Sequence, residues 1–188
     1  NESIGGNPVS LWAEEIVNKL GGTGIGIDML FTATSLDKKG STVTSTVNSS
    51  TQGIGVGGNW IDSGDTLNIQ YYKGDLDNNA GTHPTLMTTV DSAQFKFDLQ
   101  GAPGESSLVE FVIHRADNST DTVSLTVNAG EFVTISDAEG FNAVDIRYLS
   151  GAEVRLSGSS SSVYILPDDQ PLNFEVSVTD GDGDISSQ

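Results

Sequence analysis

Apolar residues in this chain recur mainly at every second position. Ile25, Ile27, Met29 and Phe31 fall on one side of an extended segment, with Asp28 on the other. The same alternation marks Leu67, Ile69 and Tyr71, then Phe95, Phe97 and Leu99, then Val109, Phe111 and Ile113, and then Val123, Leu125 and Val127. Successive side chains of a strand point to opposite faces, so each stripe predicts a strand with one buried side. Shorter apolar segments at Phe132–Ile135, Val144–Leu149, Val154–Leu156, Val163–Leu166 and Leu172–Val178 extend the series. Ser41 to Val47 alternates Ser and Thr with Val43 and Val47, which predicts a polar strand near a sheet edge. Helical spacing occurs only near the start. There Ser10 is a fitting cap and Gly21-Gly22 a stop, so a short helix is expected over Ser10 to Leu20.

Gly, Asn, Asp and Ser fill the segments between stripes. Many short alternating strands joined by such turns predict an all-β fold, a β-sandwich of about ten mainly antiparallel strands with long acidic loops. No internal repeat and no linker-like stretch interrupts the chain before residue 180, so residues 1–188 are expected to form one domain. The segment from Tyr72 to Asp91 breaks the rhythm, and loops of that length in a sandwich are usually functional or mobile.

Composition narrows the function. The chain has 188 residues, 26 acidic against 8 basic, and a formal charge of −18. Nucleic-acid backbones and anionic membranes would be repelled, so neither is an expected partner. There is no cysteine, hence no disulfide framework, and bound cations are the expected substitute. No apolar stretch approaches a membrane span and no signal peptide opens the chain, so Asn1 and Gln188 are expected to be cut points in a longer secreted polypeptide.

The acids concentrate in loops. After Phe174-Glu175-Val176-Ser177-Val178 come Asp180, Asp182 and Asp184, separated by Gly181 and Gly183. Glycine lets the backbone curl so that alternate carboxylates converge, and a hard cation with oxygen ligands, in practice Ca2+, relieves their repulsion. Asp62 and Asp65 stand three apart just before a strand, Asp75 and Asp77 precede Asn78-Asn79, and Asp117 and Asp121 flank a tight turn. The Asp75 loop resembles half an EF-hand loop but lacks its glycine and final glutamate. All nine are candidate metal ligands, although Asp and Asn are also ordinary turn formers. Arg147 is expected either to pair with a nearby carboxylate or to meet an anionic ligand group.

Enzyme signatures are missing. Gly53-Ile54-Gly55-Val56-Gly57-Gly58 matches a dinucleotide-binding pattern by letters, but a polar loop and a strand follow it rather than a helix. His83 and His114 are isolated, there is no nucleophile motif, and zinc ligands are lacking. No catalysis is expected.

Three stretches carry a resemblance: Gly55-Val56-Gly57-Gly58-Asn59-Trp60-Ile61-Asp62-Ser63-Gly64-Asp65-Thr66-Leu67, Gly140-Phe141-Asn142-Ala143-Val144-Asp145-Ile146-Arg147, and Val176-Ser177-Val178-Thr179-Asp180-Gly181-Asp182-Gly183-Asp184. With these the chain resembles the calcium-dependent peptide-binding domain of bacterial RTX adhesins, giant proteins exported by type I secretion. Trp60 stands where the RTX nonapeptide repeat has glycine, so a calcium β-roll is not expected. The resemblance implies a β-sandwich on the extracellular bacterial surface that holds the free C-terminus of a host-surface protein through Ca2+. It also implies neighbouring modules in the same chain, with residues 180–188 at the junction, and a monomeric isolated domain. Asp62, Asp65, Trp60, Tyr72 and Arg147 are the candidate ligand contacts. The alternatives are a calcium-dependent lectin, with a glycan stacked on Trp60 or Tyr72, and a structural spacer.

Overall fold

The apolar stripes become strands, and antiparallel pairing sorts them into two layers. The computed structural model describes residues 7–13, 26–74, 83–101 and 104–163, and the backbone of 177–179 and 185–187. In chain order the strands are β1 (Ser10–Ala13), β2 (Ile27–Leu36), β3 (Thr42–Ser45), β4 (Val47–Ser50), β5 (Gly53–Val56), β6 (Thr66–Lys73), β7 (Val90–Leu99), β8 (Ser106–His114), β9 (Thr120–Asn128), β10 (Phe132–Phe141), β11 (Ala143–Gly151), β12 (Val154–Ser162), β13 (Ser177–Thr179) and β14 (Ile185–Ser187). One sheet has the order β1-β2-β6-β11-β8-β9, with β3 beside β1 along the same edge of β2. The other has the order β10-β7-β12-β5-β4, and among the described residues β13 pairs only with β14. The chain is an all-β sandwich, as its alternation predicts.

Both layers contribute to one core. Leu67, Ile69 and Tyr71 of β6, Val109 and Phe111 of β8, and Val144 and Ile146 of β11 bury completely, together with Phe95 and Phe97 of β7 and Val154 of β12. Phe111 stacks on Phe95 at 5.6 Å and meets Phe97 edge-on at 6.2 Å, which ties the two sheets together. Burying one such ring contributes about 1.5–3 kcal/mol. Phe141 closes one end, fully buried and edge-on to Tyr71 at 5.8 Å. Between β3 and β4 the chain changes sheets at Thr46. The corner keeps its polar groups bonded, because Gly57 N–H donates to the Thr46 carbonyl and Val47 N–H to the Pro8 carbonyl, both at 2.8 Å.

Two expectations change. The segment opening at Ser10 is a strand over Ser10–Ala13, and there is no helix among the described residues; the rest of the expected helix lies outside them. Leu11 sits opposite Phe31 with 8 % exposure, so pairing and core burial outweigh a weak helical pattern. Asp28, expected on an open face, is 3 % exposed. The strands expected at Val163–Leu166 and Leu172–Val178 fall mostly outside the described residues. The glycine run forms β5 and the turn after it, and a Cβ on Gly55 would lie 2.5 Å from the Asn59 backbone. Those glycines serve a chain folding back on itself, not a phosphate loop. No helix among the described residues is long and apolar enough to cross a membrane.

Candidate functional site

Asp62 and Asp65 lie in the turn that enters β6. Asp65 N–H donates to the Asp62 carbonyl at 3.1 Å, and Gly64 takes the positive-φ position (90°) that such a turn requires. The two acids then divide. Asp65 is 9 % exposed, and its carboxylate accepts hydrogen bonds from Ser35 Oγ at 2.6 Å and from the Asp62 N–H at 3.3 Å. Burial pushes its pKa up, the Ser35 and Asp62 backbone hydrogen bonds draw it partly back, and the neighbouring Asp62 charge adds to the rise. Asp62 itself is exposed. Asp65 therefore braces the turn against β2, while Asp62 presents its carboxylate to solvent.

A calcium ion takes about six to eight oxygens, of which this pair offers a fraction. No group of three or more acids or histidines among the described residues is placed to hold a metal. Asp75, Asp77, Asp180, Asp182 and Asp184 lie outside the described residues. The strands on either side of the last three are described: Thr179 of β13 pairs with Ile185 of β14.

Asp117 lies in the β8–β9 turn, and Asp121 is the second residue of β9. Arg115 N–H donates to the Ser119 carbonyl at 3.0 Å, Asn118 takes the left-handed conformation at φ 68°, and Asp117 Oδ1 accepts the Ser119 N–H at 2.8 Å. Hydrogen bonds from Ser119 hold the Asp117 pKa below the usual carboxylate range. Around this turn the positive charge is a side chain. Arg115 binds Asp137 through Nε at 3.0 Å and Nη2 at 2.5 Å, with Asp121 and Glu139 each 3.7 Å away. Its hydrogen bonds lower the Asp137 pKa.

The candidate aromatic contacts are engaged within the chain. The Arg155 guanidinium lies 4.6 Å from the centroid of the Trp60 ring while bonding Asp98 at 3.0 Å and Gln52 at 2.7 Å. Tyr72 meets Trp12 edge-on at 5.0 Å, and Trp12 stacks on His83 at 4.7 Å. This trio joins β1, β6 and the segment before β7, and it escaped the sequence reading because Trp12 stood in an expected helix.

Arg147 resolves into a polar ladder across the outer face of the larger sheet. Thr32 Oγ1 donates to Asn68 Oδ1 at 3.3 Å, and Asn68 Nδ2 donates to Asp145 Oδ1 at 2.7 Å. Arg147 bonds Asp145 at 3.3 Å and Glu110 at 3.2 Å. His114 Nε2 lies 3.1 Å from Asp145 Oδ2 but off the line a hydrogen bond needs. The expected carboxylate pairing of Arg147 is thus observed. Glu110, its further partner, and Asn68, the further partner of Asp145, carry no motif; their alternation on outward positions was the available signal.

The structure brings Asp62 to Asp65, Asp117 and Asp121 to Arg115, and Arg147 to Asp145, and these are three separate places. No family model, curated protein or solved structure matches the chain.

Proposed function

We propose that the chain is a calcium-dependent adhesive module that binds the free C-terminal end of a partner peptide, as the resemblance to peptide-binding domains of RTX adhesins implies. The observation that carries this reading is the terminal run. Three aspartates alternate with glycines between two strands whose ends pair, Thr179 with Ile185. Asp180, Asp182 and Asp184 would hold Ca2+ there, and Asp62 is the exposed carboxylate that offers a second place for an ion.

A chain of charge −18 repels a carboxylate-bearing guest. A bound cation reverses the local sign and supplies an oxygen-seeking centre, and backbone N–H groups of glycine-rich turns suit the second carboxylate oxygen. The glycan alternative receives less support, since Arg155 covers a face of Trp60 and Trp12 packs against Tyr72.

Isothermal titration separates the readings. A short peptide with a free C-terminus should bind in calcium, and its amidated twin at least about tenfold more weakly, a difference of about 1.4 kcal/mol. Chelation should abolish both signals. Equal affinity for the two peptides removes the carboxylate reading, and binding of simple sugars instead establishes the lectin.

A further inference from the structure

The two sheets end in edges that differ in how they are protected. Native proteins shield edges by keeping them short, bulged or charged, because an open row of N–H and C=O groups invites another strand. Here β1, β3 and β4 have four residues each. β10 loses register between Ser136 and Phe141 and carries Asp137 and Glu139. β9 is different: its nine residues pair with β8 without a break, from Thr120↔His114 to Asn128↔Ser106. Among the described residues its other edge has no strand partner; β9 contains no proline, lysine or bulge, and its one charge is Asp121 at its second position.

Its side chains suit docking. Val127 is fully buried and Val123 and Leu125 pack against the core, so the register of β9 is pinned. The opposite row is Thr120, Thr122, Ser124, Thr126 and Asn128, small and uncharged. Acids stand at or near both ends of the strand. Asp121 (65 % exposed) and Glu139 (77 % exposed) meet at Arg115 by one end, and Glu131 accepts a hydrogen bond from Asn128 at the other. A second copy of this chain would bring another charge of −18. A strand with basic ends would meet complementary charge.

We propose that the outer edge of β9 takes an extended, basic-ended segment of a partner protein as an additional strand. Backbone hydrogen bonds would supply affinity, and the acids at the two ends would select charge. This site is independent of calcium and of the terminal run.

Amide hydrogen exchange on the full chain tests it, with a synthetic peptide of alternating Thr and Val, about nine residues long, between lysines. Alternate β9 amides that exchange freely in the unbound chain should slow by at least about tenfold with peptide at about 1 mM. Peptides N-methylated at alternate residues, one for each register, should include one that loses this protection. Glutamate in place of the terminal lysines should weaken binding by about tenfold or more. The proposal is overturned if β9 amides gain no protection at that concentration, or if both N-methylated peptides protect as well as the parent. It is equally overturned if sedimentation shows the peptide-free chain already paired through β9, since the occupant would then be a second copy.

Discussion

Tyr71 gives the sharpest test of the packing. It lies on β6, fully buried, with its ring edge-on to Phe141 at 5.8 Å. Its hydroxyl has no hydrogen-bond partner among the described residues, and burial pushes its pKa well above the usual tyrosine value. An unbonded buried hydroxyl costs about 1–3 kcal/mol, because it leaves water and gains nothing in return. Tyr71→Phe keeps the ring and removes that cost. The variant should be more stable by about 1 kcal/mol, which for a chain of this size raises Tm by about 2–4 °C. Urea unfolding followed by fluorescence measures it, with an unchanged slope confirming that the unfolded state is unaltered. Tyr71→Leu serves as the contrast: it loses the ring contact as well, and the resulting cavity should cost about 1–3 kcal/mol. A phenylalanine variant less stable than the parent by 1 kcal/mol or more would refute the reasoning, because the hydroxyl would then have a partner and this part of β6 would not face a dry core.

Three other outcomes follow from the loops and the outer face. Asp65→Ala should destabilise the calcium-free chain by about 1–2 kcal/mol by orphaning Ser35 Oγ and the Asp62 N–H, whereas Asp62→Ala, at an exposed position, should stay within about 0.5 kcal/mol; urea midpoints decide. Asp145→Ala should cost about 2–3 kcal/mol, since Asn68 Nδ2 loses its acceptor and Arg147 keeps only Glu110, and more than Asp145→Asn. The two shifted carboxylates act in opposite directions with pH. Asp137, lowered by Arg115, contributes stability above the ordinary Asp pKa of about 3.9 that is lost as pH falls through its folded value. Asp65, raised by burial, contributes stability below that ordinary pKa that is lost as pH rises through its folded value. Melting scans should therefore show Asp137→Asn flattening the acid limb, and Asp65→Asn removing a decline just above pH 4. The reverse pattern contradicts both assignments.

Much of the sandwich was legible because burial on one face writes itself as alternation. The Leu67-Ile69-Tyr71, Phe95-Phe97 and Val109-Phe111-Ile113 stripes all point into the core. β1 was not legible, since four residues satisfy helical and extended patterns equally and only its pairing with Met29–Thr32 decides. The change of sheet at Thr46 left no mark either, because a corner depends on which carbonyls meet which amides. In the candidate site, Asp62 and Asp65 could be seen as neighbours, but not that one is a brace: Ser35, whose hydroxyl binds Asp65, is 30 positions away. The Asn68–Asp145 contact spans 77 positions and required the β6–β11 register.

The account depends most on a cation holding an acidic fold in its binding state. The direct measurement is calcium titration of the chelated chain, by calorimetry and by melting. Extracellular calcium modules bind at about 0.1–1 mM. Calcium at about twenty times the dissociation constant should then stabilise the chain by about 1.8 kcal/mol, with peptide capture appearing over the same concentration range. A chain that takes up no calcium at 10 mM (about ten times the weakest affinity expected), melts at the same temperature with and without it, and captures its peptide in chelator would contradict the account.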